Sequence, residues 1–246
     1  MSGVDIQVLI IILIWMIFSA PMAHSRRNTM MIHAAIDTSL TCVFAVADGD
    51  HVLFTGSLDS ASRDNDRKLP PWIIETLAGI GLKLSDIRRW TVGTGPGSFA
   101  GLRSGIAFIK GICAATGAEI RGVPSALSTA AAAQGVTADA RIGVLMDGRC
   151  GQVIFVPVRN MKLDGEPAAL DPETLMDAAN ACDAWITPQA ELIPPLPEAI
   201  QNALQTVSQL DPCVLLRDDV ESSSSCEPIY VRQAVFVAPK EVKNVL

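Results

Sequence analysis

Three apolar runs near the start of the chain are separated by short polar turns. Residues 31–39 read MIHAAIDTS, which is typical of a buried strand that ends in a polar turn. Residues 41–50 read TCVFAVADGD, in which apolar and polar positions alternate enough for a second strand that ends at the hairpin signal Asp48-Gly49. Residues 51–58 then return as a third strand. The pattern therefore predicts an antiparallel meander over residues 31–58.

The next segments change to a helical period. A polar stretch at 60–68 predicts a loop, and apolar residues at 70–82 recur on one face of a helix whose first turn contains two prolines. Residues 87–93 form a short apolar run that predicts a strand. After a glycine-rich loop, residues 102–117 predict a helix that ends at Gly117.

The second half of the chain has a weaker pattern. An alanine-rich helix is predicted at 124–135, and two strands around an Asp-Gly turn at 141–158. Further helices are predicted at 172–182 and 201–210, and a final strand at 228–235. This mixture of a meander, helices and later strands predicts an α/β fold with a mixed sheet.

The N-terminus contains a continuous apolar run at residues 8–18, which is short of the roughly 18–20 residues that span a bilayer. Three interpretations stay open: the hydrophobic region of a secretory signal, a membrane anchor, or a start codon placed too early. We favour the third, because no Lys or Arg precedes the run and because Met30 and Met31 stand directly before the first predicted strand.

Composition narrows the class of protein. The chain has 246 residues, 49% apolar and 18% charged, which allows a sizeable core. Its net charge of −7 argues against a protein that binds nucleic acid by itself, because such binding needs a basic face. Six cysteines without a CxxC pair favour small buried side chains in a reducing compartment over disulfides or zinc, so we expect a cytoplasmic protein.

The loop TVGTGPGSFAGLRSG, residues 91–105, lies between a predicted strand and a predicted helix. Such a loop favours an anion, yet it is neither a Walker A sequence nor a complete GxGxxG. A phosphate cradle and a purely structural turn therefore stay open. The helix beyond it is rich in Gly and Ala, which indicates close approach of another backbone, either the sheet of the same domain or a helix of another subunit.

Candidate catalytic residues are few. The histidines at positions 24, 33 and 51 have no metal-binding spacing, no GxSxG elbow occurs, and Asp147 beside Arg149 favours a turn. Asp37 ends the first predicted strand and is followed by Thr38 and Ser39, so it is either a turn cap or the carboxylate of a phosphate and metal site. We expect no catalytic residue and no metal site.

Four ordered segments carry a resemblance to a known family: AIDTS at 35–39, GTGPGSFAGLRSGIAFIKG at 93–111, LMDGRCGQV at 145–153 and PIYVRQ at 228–233. Together they resemble the bacterial TsaB (YeaZ) family, which is related to TsaD. The resemblance implies a two-lobed actin-like ATPase (ribonuclease H-like) fold with mixed sheets flanked by helices.

The resemblance also implies how the chain divides. The expected first lobe covers 31–122 and is completed by 228–246, the smaller α/β lobe covers 123–220, and 221–227 is a flexible linker. Residues 1–30 have no counterpart in the family and are an apolar extension.

The function implied by the family is that of a non-catalytic partner subunit in tRNA threonylcarbamoyladenosine formation, on tRNAs that read ANN codons. Its implied partners are a TsaD-like catalytic subunit, a TsaE-like ATPase and a second copy of the chain, with tRNA bound only through the complex. No cofactor is required, although weak or vestigial ATP or ADP binding is compatible with the fold. The alternative is an active ATPase or small-molecule kinase of the same fold.

The resemblance assigns three sets of candidate site residues. The degenerate nucleotide loop consists of Asp37, Thr38 and Ser39. The family-motif loop consists of Gly95, Pro96, Gly97, Ser98, Phe99, Gly101 and Arg103. The candidates for a partner interface, on a helix bundle formed by 70–82 and 101–115, are Gly101, Gly105, Ile109, Ile73 and Leu77.

Overall fold

The computed structural model describes residues 31–58, 65–179 and 181–232. The predictions about the apolar run 8–18 and the alternative start at Met30 lie outside these residues. Within the described ranges, no helix is both long and apolar enough to cross a membrane.

The first sheet contains the predicted meander. Its strands are β1 (Ile32–Asp37), β2 (Cys42–Asp48), β3 (His51–Leu58), β4 (Arg89–Gly93) and β5 (Glu119–Val123). They lie in the order β3-β2-β1-β4-β5, with β1 to β3 antiparallel and with β4 and β5 parallel to β1. The meander and the strand before the glycine loop are therefore confirmed.

Two helices cover one face of this sheet. They are α1 (Asn65–Gly79) and α2 (Phe99–Thr116), with a 3₁₀ turn at Leu84–Asp86 between them. Their apolar side chains pack on the alternate residues of β1, β2 and β4, where the rings of Phe44 and Trp90 stack with centroids 6.0 Å apart. The glycine C-cap of α2 is confirmed, with Gly117 in the left-handed region at a φ of 74°.

The start of α1 corrects the predicted loop at 60–68. The helix begins at Asn65, so Pro70 and Pro71 lie in its second turn rather than its first. Polar residues occur in exposed helix turns as well as in loops, so the polarity of residues 65–68 alone did not distinguish the two.

The second sheet is built from the later part of the chain. Its strands are β6 (Ile142–Asp147), β7 (Val153–Arg159), β8 (Lys162–Leu163), β9 (Ala168–Leu170), β10 (Ala184–Thr187) and β11 (Leu204–Thr206). The order is β11-β10-β6-β7-β8, with β9 paired to β7. β6 and β7 form the hairpin predicted at 141–158, and β10 and β11 run parallel to β6 and β10 respectively.

The remaining helices are short. They are α3 (Ser125–Ala130), α4 (Leu175–Ala179), α5 (Glu198–Ala203) and α6 (Cys213–Leu216). The predicted helix at 201–210 is wrong after residue 203, because Leu204–Thr206 pair with Trp185–Thr187 as a parallel edge strand. The predicted helix at 124–135 ends at Ala130, and the described part of the predicted strand 228–235 is irregular.

The chain returns to the first sheet after α6. Gly122 at the end of β5 and Ser223 exchange two backbone hydrogen bonds of 2.7 and 2.9 Å, and Cys226 is fully buried against the first core. Residues 221–227, for which the sequence predicts a flexible linker, therefore lie along the edge of this sheet.

Candidate functional site

The turn after β1 is buried at the carboxyl end of the first sheet. Asp37, Thr38 and Ser39 are all buried, and the Asp37 side chain has no exposed surface. Its Oδ1 accepts a hydrogen bond of 2.7 Å from the Ser39 amide, the Asx-turn arrangement that the sequence left open as one alternative. Its Oδ2 has no donor in good geometry among the described residues, and neither has the Ser39 hydroxyl. One of the two Asp37 side-chain oxygens is thus enclosed without a hydrogen-bond partner among the described residues.

Burial raises the pKa of Asp37, because a charged carboxylate loses its hydration inside the protein. The nearby Ser125 and Ser39 hydroxyls and the Ser39 amide act in the opposite direction, since they stabilise the ionised form. Desolvation is the larger effect, so the folded protein holds this proton at a pH at which the unfolded chain has lost it.

We expect Asp37→Asn to remove a pH dependence of stability. With a folded pKa above the unfolded value near 3.9, the free energy of unfolding falls as the pH rises from about 4 through the folded pKa, by at most about 1.4 kcal/mol per pH unit. The asparagine keeps the acceptor for the Ser39 amide and carries no charge. Urea unfolding across this pH range should therefore show the variant gaining stability over the parent as the pH rises; a constant difference between the two would contradict the assignment.

Glycines of the family-motif loop pack directly on this turn. A Cβ on Gly97 or Gly101 would lie less than 3.0 Å from the backbone oxygen of Ser39 or Thr38, and one on Gly105 would lie less than 3.0 Å from the Thr38 side chain. Real Cβ atoms do not make such approaches. The close approach that the sequence predicted for this helix is therefore made within the chain.

Polar groups of the loop are also used internally. The Ser98 amide donates to the Ser39 carbonyl at 2.6 Å, and the Thr38 hydroxyl donates to the Gly101 carbonyl at 2.8 Å. The Gly95 amide donates to the Ser125 hydroxyl at 2.9 Å. A phosphate cradle needs free amides that converge on open space. As folded, the Ser98 and Gly95 amides and the Thr38 hydroxyl are bonded within the chain and do not form such a cradle.

The remaining motif residues begin α2. Gly95 has a φ of 93°, in the left-handed region that favours glycine, and the Gly95–Pro96 peptide is cis. Ser98 caps the helix, and its hydroxyl accepts from the Gly101 amide at 3.3 Å. Phe99 and Arg103 follow on the exposed side of the first turn.

The segment 228–232 brings the four motif segments together. The Ile229 amide donates to the Thr94 carbonyl at 2.8 Å, and Arg103 Nε donates to the Tyr230 hydroxyl at 2.9 Å. Arg232 donates to the side-chain oxygen of Gln152 in the turn between β6 and β7. Segments that are far apart in sequence thus meet at one end of the molecule.

Two residues that contact the four motif segments were not identified as site residues from the sequence. Ser125 accepts from the loop and lies beside Asp37, but it follows β5 in an alanine-rich stretch with no distinguishing pattern. Tyr230 was visible only as part of PIYVRQ, and it is the one tyrosine of the chain.

Four of the five predicted partner-interface residues are buried inside this chain, and the fifth, Gly101, is half-buried. Ile73, Leu77 and Ile109 belong to the first core with at most 1% of their surface exposed, and Gly105 packs on Thr38. As the chain is folded, a partner cannot contact them. This corrects the predicted interface, because helical periodicity identifies an apolar face but does not say which surface covers it.

A different face of α2 is exposed. Ala107, Lys110, Gly111 and Ala114 are exposed, and a Cβ on Gly111 would meet no heavy atom within 4 Å. The small residues of this helix therefore divide into two sets, one used by the first lobe itself and one facing outward.

Other candidate chemistry is sparse in the described residues. They contain no group of three His, Cys, Asp or Glu side chains placed to hold a metal ion. All six cysteines are free, and Cys42, Cys113 and Cys226 are buried, with the pKa of Cys42 raised to about 12 by desolvation. Cys150 is exposed in the β6–β7 turn, which corrects its prediction as a buried side chain.

A cavity of about 230 Å³ lies where the β1–β2 turn meets the segments after β10 and β11. Its lining residues are Leu40, Thr41, Pro188, Gln189, Ser208, Gln209 and Leu210. The lining is neutral, so it offers no charged group for a phosphate or a metal.

Comparisons with known proteins agree with the architecture. A family model described as TsaD: tRNA N6-adenosine threonylcarbamoyltransferase matches residues 59–189, which is more than half of the chain. The tRNA threonylcarbamoyladenosine biosynthesis protein TsaB of Escherichia coli K12 is 29% identical over 161 residues, which cover 62% of this chain and 68% of that protein. The tRNA N6-adenosine threonylcarbamoyltransferase of Paracoccus denitrificans is 39% identical over 74 residues, only 21% of its length.

Two solved structures from Pseudomonas aeruginosa share the fold. One is described as an uncharacterized protein with similarity to peptidase YeaZ, the other as YeaZ, with TM-scores of 0.65 and 0.63. Each is 24% identical and is matched over its full length by 82% of this chain. The predicted α/β fold, with two mixed sheets flanked by helices, is confirmed. The chain therefore belongs to the family of the model described as TsaD, tRNA N6-adenosine threonylcarbamoyltransferase, and its sequence is similar to that of TsaB.

Proposed function

We propose that this chain is a partner subunit in tRNA threonylcarbamoyladenosine biosynthesis, where it supports a TsaD-type subunit that carries out the transfer. The observation that carries the proposal is the packing of the family-motif glycines on the Asp37–Ser39 turn. The glycines of this loop allow the chain's own backbone to pack against it. We therefore infer that the loop is a structural element of this family rather than a ligand-binding loop.

The same geometry supports the non-catalytic role that we propose. Asp37 is the carboxylate best placed for chemistry, yet it is enclosed, has a raised pKa and accepts from the Ser39 amide. A carboxylate that binds a metal or activates water must be charged and must reach its ligand. We infer that Asp37 fixes the turn, and that the degenerate nucleotide loop takes no part in a reaction.

The exposed face of α2 is the surface that we propose for the partner. Ala107, Gly111 and Ala114 allow another helix to approach closely, and Lys110 is at the edge of this face. A TsaD-like subunit is the proposed occupant, a second copy of the chain is a competing one, and a TsaE-like ATPase joins the assembly. The protein acts in the cytoplasm, requires no cofactor, and binds ATP or ADP at most weakly.

The alternative function is an active ATPase or small-molecule kinase of the same fold. It requires phosphate loops that are open to Mg-ATP. The internal use of the Gly95 and Ser98 amides disfavours it. Calorimetry with Mg-ATP on the isolated full chain decides between the two, since micromolar binding would support the kinase.

Depletion of the protein should lower threonylcarbamoyladenosine in total tRNA, measured by mass spectrometry of digested nucleosides. We expect the full chain to restore the modified nucleoside, and a Gly111→Leu copy to fail, because the larger side chain keeps helices apart. Val52→Leu, at another exposed position, is the matched control and should restore it.

Unchanged modification after depletion would overturn the proposed function. Full rescue by a folded Gly111→Leu chain would leave the function standing and move the partner surface away from α2.

A further inference from the structure

An exposed cluster of two aromatic rings and one guanidinium lies where the first turn of α2 meets the segment 228–232. Phe99 and Tyr230 are 41% and 43% exposed, and their ring centroids are 5.0 Å apart. The Arg103 guanidinium carbon lies 3.9 Å from the Phe99 centroid and 5.6 Å from that of Tyr230. We call these three residues the aromatic–arginine cluster.

The Arg103 guanidinium carries the charge of this cluster. No carboxylate among residues 31–58, 65–179 and 181–232 lies within salt-bridge distance of Arg103. Its neighbour Arg232 contacts the amide of Gln152 rather than an acid. The site is thus locally positive on a chain whose net charge is −7.

The combination of groups restricts the ligand. An acidic peptide would use the guanidinium and leave the rings in water, and an apolar protein surface would bury the rings and leave a cation desolvated and unpaired. A nucleotide of a single strand uses both, because its base stacks on an aromatic face and its phosphate pairs with arginine.

We propose that the aromatic–arginine cluster of Phe99, Arg103 and Tyr230 is a stacking site for single-stranded RNA. The choice of RNA rests on the proposed function, in which this subunit works beside a bound tRNA. The cluster then adds a local contact to RNA that the complex binds.

The test measures binding of a fluorescein-labelled single-stranded RNA of about 10 nucleotides to the full chain by anisotropy at low salt. Phe99→Leu and Tyr230→Leu should each weaken binding at least about fivefold. Arg103→Gln should reduce the slope of log affinity against log salt by about 0.7, the loss of one phosphate contact. Arg88→Gln removes an exposed charge elsewhere and should change the affinity little, with its slope close to the parent's.

Tyr230→Phe separates a stacking site from an internal latch. It removes the hydroxyl that accepts from Arg103 and keeps the ring. A stacking site retains RNA affinity in this variant and loses it in Tyr230→Leu; a latch loses stability to urea equally in both and shows no difference in RNA affinity.

Three results would overturn the proposal. The first is no RNA binding by the full chain, and the second is equal binding by the parent and Phe99→Leu. The third is that AMP or polyglutamate displaces the labelled RNA as well as unlabelled RNA of the same sequence does. Depletion of the protein reads out the proposed function separately. Lowered tRNA modification with unaltered RNA binding by the variants would refute the cluster alone, and RNA binding without any effect of depletion on tRNA would refute the function alone.

Discussion

Gly101→Ala should destabilise the protein by about 3 kcal/mol, whereas Gly111→Ala in the same helix should stabilise it by up to about 1 kcal/mol. A Cβ on Gly101 would lie less than 3.0 Å from the backbone oxygen of Thr38, which cannot move without displacing β1. The substitution also disturbs the hydrogen bond from the Thr38 hydroxyl to the Gly101 carbonyl. A Cβ on Gly111 meets nothing within 4 Å, so only the helix propensity changes.

Urea unfolding followed by circular dichroism measures both variants, and Gly111→Ala is the control because it makes the same chemical change in the same helix. Equal stability of the two variants would show that α2 does not approach the Asp37–Ser39 turn as closely as described. Gly105 packs on the side chain of the same Thr38. A larger residue at position 105 would therefore disturb the fold and could not be used to test a partner surface.

Arg121→Met should cost about 3 kcal/mol, because this partly buried guanidinium attaches α6 to the first sheet. Its Nη2 donates to the carbonyls of residues 215, 216 and 217 at 2.9, 3.0 and 2.7 Å, which lie at the end of α6. Its Nε donates to the Thr91 hydroxyl at 3.0 Å. Methionine fills much of the volume but leaves these carbonyls without their donor.

Arg88→Met is the matched control, because Arg88 directly precedes β4 and is exposed. We expect it to change the free energy of unfolding by less than about 0.5 kcal/mol. Arg121→Lys should recover only part of the loss, since one ammonium group cannot reproduce the planar fork. Stability of Arg121→Met equal to that of the control would exclude the proposed attachment of α6.

Local patterns were sufficient for most of the first lobe. Alternation and the Asp48-Gly49 signal predicted β1 to β3, because a hairpin depends on neighbouring residues. The later segments were harder. Residues 204–206 form a strand through pairing with β10, and such pairing overrides the helical preference of a short segment.

For the candidate site, too, some features could be predicted from the sequence and others only from the structure. The sequence by itself determined the family motifs, the scarcity of paired histidines and the need for close packing near the glycines, since these depend on residue types and spacing. Only the tertiary structure decided that the close partner is the chain's own Asp37–Ser39 turn, and that Ile73 and Leu77 are core rather than surface. It also joined Tyr230 to Phe99 and Arg103 across more than a hundred residues. The physical reason is that a helical period or a helix glycine indicates only that a surface is covered. Which segment covers it depends on how distant parts of the chain fold together.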